Sequence, residues 1–285
     1  MKLFSVASNY YRLDGGAMFG NAPKALWEKW IPADGQNRIR LATRTLLAVT
    51  GKHIILVDAG IGAYMEPRFR ERFGVEEPEH MLLKSLGQRG FTQTDITGII
   101  LSHLHFDHAG GLLSAWQEGK EPHLLFPNAK YYVSEQGWER ATRPNVRDKA
   151  SFVPTLNRQL EQSGRLTLLK KEDVLRFDDL TVQYLLSEGH TPGLLCADLR
   201  WDSQRVVFVS DLIPGRAWVH LPITMGYDRF PELLIQEKQI LLQSLAEENG
   251  WIAYVHDPEM AVSRIRWDVE HNIFLAVDPR PACEM

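Results

Sequence analysis

Ser102-His103-Leu104-His105-Phe106-Asp107-His108-Ala109-Gly110-Gly111 is the stretch whose reading decides the fold. Four residues able to ligate a metal fall within six positions, at the end of the apolar run Ile99-Ile100-Leu101. On an extended segment alternate side chains share a face, so His103 and His105 point the same way, at a separation one ion can bridge. Asp107 and His108 follow where the chain must turn, and can face a second ion beside the first. Ala109, Gly110 and Gly111 let backbone pass close to the site, and the pattern predicts a helix over 110–118. Phe106 reads as packing.

Three other places repeat one local pattern. Tyr184-Leu185-Leu186 leads to Gly189-His190-Thr191-Pro192-Gly193, Val206–Val209 leads to Ser210-Asp211, and Trp251–Val255 leads to His256-Asp257-Pro258. In each, an apolar strand ends at one histidine or aspartate and the chain then turns. Each signal is weak singly. Following His103, His105, Asp107 and His108 in this order, they are strong. Asp58 closes another strand, in Val57-Asp58-Ala59-Gly60, and reads either as a carboxylate that orients a ligand histidine from behind or as a simple loop cap.

Around these points the chain reads as alternating strands and helices. Residues 2–8 form a strand, and 39–50 with 53–58 form a hairpin turned at Thr50-Gly51-Lys52. Residues 14–20, with three glycines around Met18 and Phe19, read either as a mobile loop suited to covering a pocket or as a loop tucked against the core. Helices are expected over 78–89, 135–142 and 231–246, the last opened by Pro231 and followed by Gly250. Residues 143–165 read as a helical connection. Strands are expected over 130–134, 166–169, 180–186, 195–199, 206–210 and 251–255. The two similar halves suggest an α/β sandwich of two mixed sheets with helices outside, one domain over residues 1–285.

Composition is that of an ordinary globular chain of 285 residues with a net charge of −4. With no long basic run, neither nucleic acid nor an acidic membrane is an expected partner. The two cysteines, Cys196 and Cys283, read as free thiols of a reducing compartment. No signal peptide or bilayer-spanning run is apparent, so the expected location is the cytoplasm. An oligomer is compatible with the sequence.

Together these residues resemble the metallo-β-lactamase superfamily, from the hairpin near residue 40 to His256. That resemblance implies a four-layer αβ/βα sandwich with one or two metals between the sheets. It implies that His103, His105 and His190 hold one metal and that Asp107, His108 and His256 hold the second, with Asp211 bridging. Zinc suits nitrogen and oxygen donors without cysteine, and manganese, cobalt or iron fit the same donors. The motif His-Leu-His-x-Asp-His-Ala-Gly-Gly looks most like that of N-acyl homoserine lactone lactonases. Two departures stand out: Pro214 occupies the position of a tyrosine that assists the substrate carbonyl in those lactonases, and Leu194 replaces a histidine.

The expected reaction is hydrolysis of a small ester, a lactone first, by a hydroxide held between the metals, with Asp107 and Asp211 as the catalytic carboxylates. Phosphotriester, phosphodiester or aryl ester hydrolysis on the same site is the alternative, and a non-catalytic metal-binding protein a third reading. No Gly-x-Ser-x-Gly nucleophile motif is present, so no covalent acyl-enzyme is expected. Candidates for the pocket are Met18, Phe19, Trp27, Trp218, His220 and Tyr227, with Tyr227 a replacement for the missing tyrosine. His53, His80, His123 and His271 are assigned to structure.

Overall fold

A computed structural model describes all residues, 1–285. The first half supplies strands β1 (Lys2–Ala7), β2 (Tyr11–Asp14), β3 (Arg38–Leu41), β4 (Arg44–Val49), β5 (Ile54–Val57), β6 (Gly98–Ile100), β7 (Lys130–Ser134) and β8 (Leu166–Leu169). The second supplies β9 (Leu175–Phe177), β10 (Leu180–Ser187), β11 (Leu194–Trp201), β12 (Gln204–Phe208), β13 (Trp251–Ala253), β14 (Val262–Asp268) and β15 (Ile273–Arg280). One sheet runs β1-β4-β5-β6-β7-β8, and the other runs β15-β14-β13-β12-β11-β10-β9. Strands β2 and β3 form a small separate ribbon.

Side-chain alternation explains why these sheets stack in four layers. A strand whose two faces are both buried is apolar throughout, and successive residues serve different cores. Leu46, Ala48, Ile55, Val57 and Ile100 of the first sheet meet Leu195, Ala197, Val206, Phe208 and Ala253 of the second in a shared core. Their neighbours Leu47, Leu56 and Ile99 face the other way, onto Leu82, Leu86, Leu156 and Leu160. These four leucines belong to the helices Met81–Gln88 and Pro154–Gln162. Leu194, Cys196, Val207 and Ile252 face the opposite outer layer, where Leu234, Leu241 and Leu245 of the helix Pro231–Glu248 cover them. The four-layer sandwich follows from that register.

Several expected elements are corrected. The run 39–50 is not one strand: β3 pairs with β2, β4 pairs with β1 and β5, and the chain breaks at Ala42-Thr43 between them. Over 110–118 a one-turn 3-10 helix at Gly110–Leu112 replaces the expected helix, after a short helix Phe106–Ala109. A Cβ on Gly111 would lie 2.0 Å from the Ala59 carbonyl, so this backbone packs against the β5 exit instead of winding onward. Residues 14–20 are the end of β2 and a short helix, Gly15–Phe19, with Met18 and Phe19 in the core. The hairpin β14–β15 was not expected. Cys196 and Cys283 are both buried free thiols. No helix is long and apolar enough to cross a membrane.

Candidate metal centre

Strands β5, β6, β7 and β8 run parallel, as do β12 and β13, so their C-terminal ends gather along a common rim. Two antiparallel steps bring the end of β10 to the same rim. Asp58, His103, His190, Asp211 and His256 all follow strand ends there. His103, His105, His190 and Asp211 offer atoms within 4.8 Å of one another, and Asp107, His108 and His256 form an adjoining group. All seven are buried.

Asp211 stands between the groups. Its Oδ2 is 3.1 Å from His190 Nε2 and 3.9 Å from His103 Nε2. Its Oδ1 is 3.3 Å from His108 Nε2 and 3.1 Å from His256 Nε2. Asp107 Oδ2 approaches that second pair at 3.8 and 3.6 Å. On the first side, His103 Nε2 and His105 Nδ1 are 2.9 Å apart.

Four of the five outward ring nitrogens are anchored. His108 Nδ1 donates to Asp58 Oδ2 at 2.8 Å, the same oxygen that accepts from the Ser102 hydroxyl. His103 Nδ1 donates to Ser102 Oγ at 3.1 Å, and Ser210 Oγ donates to that atom at 2.8 Å. His190 Nδ1 donates to Asp228, and His256 Nδ1 donates to the Ala42 carbonyl at 2.7 Å. Ala42 N returns a bond to the His256 carbonyl, and the buried Arg44 guanidinium donates to the carbonyls of Tyr254 and Asp257. The break in the 39–50 run is therefore the feature that fixes His256. Such partners set tautomer and ring orientation.

Electrostatics agree with that layout. Burial, aided by neighbouring imidazoles, holds His103 and His105 well below the ordinary histidine range, so both stay neutral donors. Burial opposes charge on His108 too, but Asp211, Asp107 and Asp58 outweigh it and raise it. For Asp211 burial acts upward, and the facing histidines overcome it and hold the carboxyl well below its usual range. His108 Nε2 and Asp211 Oδ1 are buried without hydrogen-bond partners. Orphaned nitrogen and oxygen donors aimed at a common point, with no thiolate among them, fit divalent cations such as zinc.

The profile of the metallo-beta-lactamase superfamily matches residues 39–256. The chain belongs to that superfamily. Within it, a probable metal-dependent hydrolase from Staphylococcus aureus is 28% identical, with 97% of this chain and 96% of that one covered at a TM-score of 0.84. AidC, a dizinc quorum-quenching lactonase, superposes at 0.76 with 23% identity over 96% of this chain and 93% of its own. An N-acyl homoserine lactone hydrolase superposes at 0.64 with 20% identity over 90% and 93%. An uncharacterized protein of Aquifex aeolicus (strain VF5) is 26% identical over 118 residues, 41% of this chain and about half (49%) of that relative's length.

The superfamily's cleft here has a volume of about 450 Å³, floored by His105, Asp107, His190, Asp211 and His256. Of the expected pocket residues, Met18 and Tyr227 line it. Phe19, Trp27 and Trp218 do not: Phe19 stacks between the two indoles at 5.3 and 4.5 Å, and all three are core. His220 stacks on Trp30 at 5.2 Å and lines a different cleft beside Arg216. Aromatic composition could not reveal which way that cluster faced. Tyr11 was missed by sequence reading. It lines the cleft and donates its hydroxyl to Asp107 Oδ2 at 2.5 Å. Asp228 and Arg44 were missed as well, and nothing local to any of the three marks it out.

Proposed function

We propose that the protein is a dinuclear metal-dependent hydrolase of small esters, with a lactone first in line. His103, His105 and His190 would hold one ion and Asp107, His108 and His256 the other. The observation that carries this reading is Asp211, whose two oxygens divide between the two histidine sets. Ions so placed polarise a carbonyl as Lewis acids and bring the pKa of water down to ~7.

The chain's own residues supply the rest. Asp211 reaches both positions and stays a carboxylate there, while His103, His108, His190 and His256 keep their outward N–H bonds fixed. Tyr227 offers a phenol donor from the cleft wall, and Tyr11 spends its own on Asp107. Burial, then Asp107, keeps Tyr11 protonated; burial, then Asp14 and Asp107, pushes Tyr227 up to about 12. Tyr227 is the candidate for the role left open at Pro214. Leu13, Met18, Phe73, Phe106 and Met225 form apolar walls that exclude water around an uncharged ester. A cleft of this size suits a small molecule, and the lactonase neighbours support the choice of a lactone.

Assays of zinc-loaded protein against acyl homoserine lactones, aryl esters and paraoxon-type triesters test the reading. Lactone turnover is expected. Turnover of triesters alone would move the assignment to phosphoester hydrolysis, and no turnover with two metals bound would leave a binding protein. Asp211→Ala should lose bound metal and at least 100-fold in rate, on the scale of lost metal-assisted catalysis.

A further inference from the structure

Five histidines converge on the centre, and four have their outward nitrogen engaged, by Ser102, Asp58, Asp228 and the Ala42 carbonyl. His105 is the exception. Its Nδ1 turns inward toward His103, and its Nε2 is buried without a partner.

A single stretch of chain, 148–152, passes this ring. Phe152 pairs its backbone with His105 and sets its ring 4.9 Å from the imidazole. Four residues earlier lies Asp148, 9% exposed, which lines the same cleft as His105. Arg140 grips one oxygen of that carboxylate, donating from Nε at 2.8 Å and Nη2 at 2.5 Å to Oδ2. Asp148 Oδ1 is buried and accepts nothing. An unpaired donor and an unpaired acceptor therefore lie along one strip of the cleft wall. Native interiors rarely keep such pairs apart without a use for them.

We propose that Asp148 Oδ1 accepts the His105 Nε2–H when a cation occupies Nδ1, and that Arg140 holds the carboxylate in place for it. This rests on the metal-centre reading above. A cation on Nδ1 would fix the proton on Nε2 and make that N–H a stronger donor; the two atoms do not pair as they stand, so a side chain must turn to complete the bond. Asp148 is then a positioning residue, acting on the centre through His105.

The test uses the full chain with Asp148→Leu and Asp148→Asn, zinc titrated against a chromogenic chelator, and imidazole-nitrogen NMR. D148L should bind one of its two zinc ions 10–100-fold more weakly, with the other within twofold of wild type. D148N keeps a carbonyl oxygen and should lose less. The slowly exchanging His105 Nε2–H signal of the zinc-loaded protein should vanish in D148L. If D148L does not fold, R140Q carries the same expectation, because it frees the carboxylate to turn away. Wild-type affinities with the imidazole signal unchanged would overturn the proposal, as would equal weakening of both ions. A wild-type chain that takes up no zinc would overturn the metal reading beneath it as well.

Discussion

His190 and Asp228 hold each other at 2.9 Å, imidazole Nδ1 against carboxylate Oδ1, although 38 residues separate them. The second oxygen of Asp228 accepts from Met225 N at 2.6 Å, so the loop before the long helix sets the angle of the His190 ring. Asp228→Ala should therefore reduce metal affinity about 10–100-fold, with Asp228→Asn between it and wild type. Residual metal after dialysis against graded chelator reads this directly.

Tyr11→Phe removes one oxygen atom from a fully buried contact with Asp107. A hydrogen bond to a charged acceptor contributes about 1.5–3 kcal/mol, and the metal-free variant should be less stable by that amount. Urea unfolding of the two apoproteins checks it; equal midpoints would mean the hydroxyl does nothing for the fold.

Lys238 is buried in the helix Pro231–Glu248, and its Nζ donates to the carbonyls of Trp218, His220 and Ile223 at 2.8, 3.0 and 2.8 Å. Lys238→Met strands all three acceptors and should destabilise the protein by about 3 kcal/mol or more. Burial also pushes this amine down to about 7 from its ordinary 10.5. The unfolded chain then binds the proton more tightly than the native one, so this group's penalty is full below about 7 and is relieved as pH rises toward 10.5. The wild-type urea midpoint should climb over that window relative to the variant.

Asp257 behaves in the opposite sense. Burial alone would raise it, but Arg216 and the backbone N–H groups of Arg216 and Met260 hold it below its ordinary 3.8. Its contribution is present above that value and lost as the solution is acidified through the lower native one. Asp257→Asn should be less stable near neutrality and show a shallower loss on acidification, which acid titration followed by circular dichroism would measure.

How much of this could be read from the chain depends on how local each cause is. His103, His105, Asp107 and His108 announce themselves because their spacing and the strand before them lie in one window. His190, Asp211 and His256 were found because each ends an apolar strand, and parallel strands gather their ends. The core assignments of Leu46 through Ala48 follow from alternation alone. By contrast, the break in 39–50 falls beside Thr43-Arg44-Thr45, residues a continuous strand also accepts; contact with Val255 and His256 decides it. The helix expected over 110–118 yields to the carbonyl of Ala59, which no periodicity encodes. Strand β14 interleaves Arg264, Arg266 and Asp268 with its apolar residues and so lacks an apolar run, whereas β15 does carry one, Ile273–Val277, and is told from a helix only by its pairing with β14. Tyr11 and Asp228 reach the site through side chains 96 and 38 residues away, which no local pattern announces.

The reciprocal pairing of Ala42 with His256 has a consequence for biogenesis. Closing a loop of 214 residues is slow relative to forming hairpins or helices, so the centre must be among the last parts of the molecule to assemble. A nascent chain could carry a finished first sheet and its His103–His108 cluster while still on the ribosome. It would hold four of the seven candidate ligands until translation passed His190, and the set would be complete only once His256 had emerged.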